Sequence, residues 1–281
     1  MVASPQPVSR EGTGRLRAGT PAGPPSTRTS TASMDFFHFG PDERLFGSYV
    51  PESGTASPSS VVVLCYPFGQ EYMRAHKAFR QVAVLLSRKG LPVLRFDYSG
   101  TGDSSGDGIG VSLEAWVEDV AAAISEARRR SGATRVRLGG LRLGAALATL
   151  AARDRGEVER LVLWDPVVCG ADLVSDLQSR VSYRDGTTWW VYGFPISESL
   201  RSDLGTLDLR DVQLPARTRV IQMLSRSHEN FDALAEALAD HARDVESRLV
   251  PSPSDWNYED EVGGILMPRD MVRGVVDALA G

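Results

Sequence analysis

The chain is 281 residues long, 42% hydrophobic and 24% charged, with a formal net charge of −5. Such a length holds one large α/β domain or two small ones, and the mildly acidic balance gives no electrostatic reason to expect nucleic acid or a membrane surface as partner. No apolar run approaches the ~18 residues that cross a bilayer. The two cysteines, Cys65 and Cys169, lack metal-type spacing, so the composition points to a reduced, cytoplasmic protein with no metal and no cofactor.

Residues 1–33 are dominated by Gly, Pro, Ser, Thr and Arg and offer little to bury, so they are expected to form a disordered tail without the apolar core of a signal peptide. A tether to another protein is the other reading of that tail. The folded domain is expected over 34–281. "FFHFG" and "RLFGSYVP" read as a leading pair of short antiparallel strands, and the β-branched run "SVVVLCYP" as a buried strand. Phe79, Val82, Ala83 and Leu86 then recur at helical spacing, with Gly90 as punctuation. "LPVLRFDY" is the next strand and "SGTGDSSGDG" a turn-rich loop. Leu113, Trp116, Val117, Val120 and Ile124 mark an amphipathic helix. "TRVRLGGL" is a strand that turns into the Ala-rich helix "LGAALATLAARD". "VERLVLWDPVV", "RTRVIQML" and "SRLVPSP" are further strands, the last two flanking a helix over 231–243, and "MPRDMVRGVVDAL" closes the chain as a helix. This alternation implies a mostly parallel sheet with helices on both faces. It lapses between about 170 and 215, where "TTWWVYGFP" brings an aromatic cluster, and a small cap insertion fits there.

The segment "GGLRLGAALA", 139–148, is a sharp strand-to-helix turn with Arg142 at its apex. Such a turn strains its apex residue and projects that side chain above the sheet. Gly140 and Gly144 remove Cβ atoms that would collide with neighbouring elements. With "YPFG" after one strand and "FDYSGTGDSSG" after another, this turn resembles the nucleophile elbow of the α/β-hydrolase superfamily, from about residue 35 to the C-terminus. "PFGQEYMRAH", "GLRLGA", "WDPVV" and "DWNYEDEVGG" resemble, more narrowly, the serine-aminopeptidase-like branch and the hydrolase-like proteins that accompany exosortase systems or polyketide and nonribosomal-peptide gene clusters.

The resemblance implies an α/β-hydrolase fold in which Arg142 stands where the nucleophilic serine belongs. It also implies an oxyanion site made by the backbone N–H groups of Phe68 and Leu143. An arginine has five donors and no acceptor and stays protonated, so no acyl-enzyme forms on it. The loop in which such hydrolases carry their base histidine holds Asp255, Trp256 and Asn257 instead, and Glu229 in "SRSHENFD" is a relic of the acid, with His228 beside it. Arg142 then favours an anion at the turn, and Glu71, His76 and Asp165 are the candidate acid–base groups. For each a structural alternative stays open: an Arg142 ion pair with Glu71 or Asp165, a Glu71 serving the helix dipole, and a His76 on a solvated helix face. Asp97 and Asp103 read as turn residues. Trp189 and Trp190, with Tyr192 and Phe194, are core for the cap and, with Trp256, candidates for the substrate wall.

Three functions follow. The first is an enzyme acting on an acyl or polyketide-type carbonyl or carboxylate by acid–base hydrolysis, elimination or cyclisation, in natural-product biosynthesis as the resemblance implies. The second is an inactive pseudohydrolase that binds an acyl ligand, a carrier protein or a partner enzyme. The third is an esterase or thioesterase whose nucleophile has moved to Cys65, Cys169 or Ser99.

Overall fold

The computed structural model describes residues 33–54, 57–253, 255–257 and 267–281, together with Met1. The expected N-terminal tail lies outside the described residues except at its two ends, as does the segment after Asn257 in "DWNYEDEVGG". The strands of the main sheet are β1 (Asp35–Phe39), β2 (Leu45–Val50), β3 (Ser60–Cys65), β4 (Val93–Phe96), β5 (Arg135–Leu141), β6 (Val158–Trp164), β10 (Arg219–Leu224) and β11 (Asp244–Leu249). They are ordered β1-β2-β4-β3-β5-β6-β10-β11. The first two pair antiparallel, β2 joins β4 antiparallel, and every pairing from β4 to β11 is parallel. This is the α/β-hydrolase fold.

Helices α1 (Gln70–Arg88) and α7 (Arg269–Ala280) pack together on the sheet, and α2 (Leu113–Ser131) and α3 (Leu143–Ala152) form a second such pair. Covered strands must be apolar on both sides, and β3 is buried at all six positions. Helix α2 starts where the Ser112 side chain accepts from the Ala115 N–H and stops at Gly132, φ 71°. The edge strand β11 differs: Asp244, Glu246 and Arg248 alternate with less polar residues and pair in part with Arg219 on β10. Its charges blunt an exposed sheet edge. They also hide the strand from a search for apolar runs, so it begins earlier than "SRLVPSP" and its helix, α6 (Glu229–Ala239), is shorter than expected.

Between β6 and β10 the chain forms α4 (Gly170–Ser179), a separate antiparallel sheet of β7 (Val181–Asp185), β8 (Thr188–Val191) and β9 (Phe194–Ile196), and α5 (Glu198–Thr206). Ile196, Leu200 and Leu204 are fully buried and anchor this inserted piece. Phe194 meets Phe68 with ring centroids 6.2 Å apart, and Asp203 accepts from the Leu113 N–H at 3.2 Å. The insertion therefore touches the segments that follow β3 and β4, at the C-terminal edge of the sheet.

Candidate functional site

Parallel strands send their C-terminal ends to one edge, where the loops after β3, β5, β6 and β10 converge. Two neighbouring loops begin with strained residues. Arg142, directly after β5, has φ 54°, and Asp165, directly after β6, has φ 40°. Neither is glycine, so each turn costs about 1 kcal/mol or more and persists because the surroundings hold it. The Arg142 N–H donates to the Trp164 carbonyl at 3.0 Å, and the Arg142 carbonyl accepts from the Val167 N–H at 3.3 Å. The Asp165 N–H donates to the Met223 carbonyl on β10 at 3.0 Å. Close packing locks the first turn further: a Cβ on Gly144 would overlap the carbonyl oxygens of Cys65 and Tyr66, and one on Gly140 would overlap the backbone of Gly144.

The Arg142 Nε donates to Glu71 Oε1 at 3.2 Å, and the Asn257 side-chain amide donates to the same oxygen at 3.4 Å. Side-chain exposure is 23% for Arg142 and 10% for Glu71, so the pair is partly desolvated. Burial pushes the Glu71 carboxyl above the ordinary carboxylate range, and the Arg142 charge only partly opposes it. Burial disfavours the Arg142 cation, but Glu71 outweighs that and holds it protonated. On the next strand, Asp165 accepts the Ser225 N–H through Oδ1 at 2.7 Å. Burial raises its pKa as well, against the Ser225 hydrogen bond and the Arg142 charge.

Arg142, Glu71 and Asp165 line one cavity of about 770 Å³. Its other walls carry many charges, set among apolar residues such as Val167, Val168, Leu173 and Phe231: Asp172, Asp176 and Arg180 come from α4 and its end, Arg210 from the end of the insertion, and Arg226 and Glu229 from the loop and helix after β10. Much of this charge is internally paired. Asp176 holds Arg180 at 3.0 Å, Asp172 accepts from Asn230 at 3.1 Å, and Asp208 holds Arg210. His228 and Asn257 also border the cavity, while the His228 ring nitrogen Nδ1 caps α6 by accepting the Asn230 N–H. Asp172, Asp176 and Arg180 escaped the sequence reading, although their four-residue spacing places them on one helix face.

Several expected site residues lie elsewhere. His76 is five residues from Glu71 on α1, about 140° away around a helix of 3.6 residues per turn. It stacks on Tyr66 with centroids 5.8 Å apart and stands edge-on to Tyr72, away from the cavity. Burial and the Arg95 charge lower its pKa there. Phe68 and Leu143 line a separate hollow of about 20 Å³ beside Glu71 and Asn257, and neither amide has a hydrogen-bond partner among the described residues. Of the expected aromatic wall, Tyr192 and Phe194 border that small hollow, whereas the three tryptophans line neither space. Trp256 is fully buried edge-on to Trp164, at 5.4 Å, and Trp189 is covered by the guanidinium of Arg201 at 4.1 Å. Trp190 neighbours Trp189 in the small sheet, outside the cavity wall.

The alternative nucleophiles divide in the same way. Cys65 is buried and its thiol is pushed up to about 12 by burial. The Ser99 hydroxyl donates to Asp119 at 3.0 Å and helps to fix the loop after β4. Cys169 alone of the three borders the cavity. Asp97 accepts from the Tyr72 hydroxyl at 2.9 Å and the Asp103 N–H at 3.0 Å, which shapes the turn between them. Among the described residues no group of three or more His, Cys, Asp or Glu is arranged to hold a metal ion, and no helix is long and apolar enough to cross a membrane.

An esterase of Pyrococcus furiosus shares this fold at 15% identity and a TM-score of 0.61, over 92% of this chain and 96% of that one. Est1E of Butyrivibrio proteoclasticus does so at 13% and 0.61, over 87% and 96%. A Xanthomonas campestris protein, described as an α/β serine hydrolase without lid, aligns at 17% and 0.55, over 89% and 94%. No curated protein sequence matches the chain significantly. The family described as serine aminopeptidase, S33, matches residues 56–237, which contain the strained Arg142 turn, the Asp165 turn and Glu71. The chain belongs to that family, within the α/β hydrolases.

Proposed function

We propose that this chain is a hydrolase-fold enzyme that works without a covalent intermediate on a polar acyl substrate. Arg142, at the apex of the turn that resembles a nucleophile elbow, binds a carboxylate or acyl oxygen, and Glu71 moves the proton. One observation carries this reading. The guanidinium engages Glu71 through Nε only, and its two terminal nitrogens have no partner among the described residues at the edge of a 770 Å³ cavity. A fork with two unoccupied nitrogens matches an oxyanion or carboxylate. In hydrolysis, Glu71 takes a proton from water while the water oxygen attacks the acyl carbon. The carbonyl electrons move to an oxygen held by Arg142 and by the amides of Phe68 and Leu143, and the leaving group departs with the proton from Glu71. The raised pKa of Glu71 brings it nearer to neutrality, where a group both accepts and returns a proton efficiently. The many charged groups among the cavity's aliphatic residues favour an acyl group with polar substituents. A natural-product setting rests on the family resemblance alone.

The test is turnover of a panel of short-chain acyl thioesters. Glu71→Gln lowers the rate by about 100-fold or more with little change in melting temperature, whereas an unchanged rate removes Glu71 from the mechanism. Cys169 on the cavity wall favours a second reading, a relocated nucleophile. Iodoacetamide that labels Cys169 and abolishes turnover would favour it over the first. A third reading, a pseudohydrolase that binds an acyl ligand or carrier protein, draws support from Arg142 being already paired. It predicts that Arg142→Ala weakens binding while the wild type yields no product from any member of the panel.

A further inference from the structure

The two oxygens of the Glu71 carboxylate are not equivalent. Oε1 accepts from Arg142 Nε at 3.2 Å and from Asn257 Nδ2 at 3.4 Å, which occupies its lone pairs. Oε2 has no hydrogen-bond partner among the described residues, and it is not sealed off by burial. Glu71 lines both the large cavity and the small hollow beside it. One oxygen is therefore held, and the other is free to take a proton.

Asn257 is presented by its own loop. Trp256, fully buried and edge-on to Trp164, anchors the segment after β11, and the Asp255 carboxylate accepts the Asn257 N–H at 2.9 Å. The Asn257 side chain then lines the same two spaces as Glu71. Oε1 can only accept, so the amide nitrogen faces Glu71 and the amide oxygen points elsewhere. That Oδ1 is also without a partner among the described residues and is not closed off by burial. Glu71 Oε2 and Asn257 Oδ1 are thus two open acceptors on side chains in direct contact. A molecule with two hydrogens on one atom can satisfy both, and water is such a molecule.

We propose that Asn257 is a catalytic residue that aims the attacking water: its Oδ1 accepts one hydrogen of the water while Glu71 Oε2 takes the other as a proton. The electron pair of the broken O–H bond forms the new bond to the acyl carbon, and the carbonyl pair moves to the oxygen held by Arg142. When the bond to the leaving group breaks, its pair goes to the leaving atom, which receives the proton from Oε2. Nδ2 meanwhile shares Oε1 with Arg142 and fixes the plane of the carboxylate. This rests on the reading of Glu71 as the base and names the group that orients its nucleophile. A water held by two acceptors has its lone pair directed, which is a gain in orientation and not in substrate binding.

The test compares Asn257→Ala and Asn257→Asp in the full chain, with the acetyl and butyryl thioesters of N-acetylcysteamine as substrates and melting temperature as the check on folding. Asn257→Ala should lower kcat about tenfold or more with little change in KM. Burial is the largest influence on the Glu71 pKa and raises it, Arg142 and the Asn257 amide lower it, and Asp176 on α4 raises it. Removing the amide should therefore move the acid limb of the kcat/KM profile to higher pH. Asn257→Asp keeps the shape, and so the packing, but loses the donor to Oε1 and should show both effects. The same upward shift should appear in the Glu71 carboxyl titration followed by carbon NMR and assigned with Glu71→Gln, which reads the contact without turnover. If Asn257→Ala is as fast as the wild type while Glu71→Gln is impaired, or if Asn257→Asp behaves as the wild type, the water-aiming role is overturned and Glu71 remains the base. A Glu71 titration that does not move in Asn257→Ala overturns the contact itself. If the wild type turns over neither thioester, or Glu71→Gln is equally fast, the base and its oriented water both fall.

Discussion

Arg142 and Glu71 share one hydrogen bond of 3.2 Å, and without the arginine only the Asn257 amide would face the carboxylate among the described residues. Breaking a fully buried pair costs about 3–5 kcal/mol. With 23% exposure at Arg142, screening reduces the expected cost of Arg142→Met to about 2 kcal/mol near neutrality. The cost depends on pH. Burial already raises the Glu71 pKa, and removing the cation that opposes this raises it further. A raised carboxyl binds its proton more tightly when folded. Its stabilising contribution is therefore full below the ordinary carboxylate range and is lost as pH climbs through the folded value. Urea denaturation should show a smaller loss for Arg142→Met at about pH 5 than at about pH 8. An equal loss at both would mean that the arginine contributes by packing alone.

At the scale of elements, the strained turn depends on α3 lying directly on the segment after β3. Gly144→Ala would press a methyl group into the Cys65 and Tyr66 carbonyls, which are backbone and cannot rotate away. The expected outcome is a loss of about 3 kcal/mol or more, or no folded protein, read by thermal melting. Gly205 makes the contrast. It lies in α5, no atom comes within 4 Å of the place an added methyl group would take, and its backbone needs no left-handed conformation. Gly205→Ala should stabilise the protein by about 0.5–1 kcal/mol, and a loss there would show that α5 has little room for a methyl group. Helix rotation also separates the chemistry on α1, since Glu71 faces the cavity while His76 stacks on Tyr66. His76→Gln should therefore leave the pH profile of turnover unchanged, and a shifted profile would return the imidazole to the reaction.

At the scale of the whole molecule, four carboxyls among the described residues have pKa values raised chiefly by burial: Glu71, Asp97, Asp119 and Asp165. Each holds its proton to higher pH in the folded state than in the unfolded one, so each contribution falls as pH rises above the ordinary carboxylate range. Glu126, Glu159, Asp208 and Glu246 have lowered values through arginine partners, joined at Glu159 by the Ser60 hydroxyl, and act in the opposite sense, with their stabilisation lost as pH falls. These pairs are more exposed, and such pairs contribute little. The buried group should dominate, giving a higher urea midpoint at about pH 5 than at about pH 8. A midpoint that rises steadily with pH would show that the surface pairs outweigh the buried carboxyls.

The fold was legible because its causes are local. Runs such as "SVVVLCYP" announce strands buried on both faces, and Phe79, Val82, Ala83 and Leu86 announce a helix. A strand-turn-helix with glycines on either side of Arg142 announces the strained turn. Strand β11 was blurred because an edge strand keeps its charges. The sequence by itself thus determined the order of the elements, the sheet type and the place of Arg142 at the apex of its turn. Only the tertiary structure decided that Glu71 meets Arg142 across 71 residues, that Asp165 joins them on the same cavity, that His76 turns away, and that the cavity is lined by charged groups among aliphatic ones and not by tryptophan. The physical reason is that periodicity sets which face of an element is buried. Charge pairing between distant elements depends on strand register, helix rotation and the seating of the insertion, none of which any local stretch encodes.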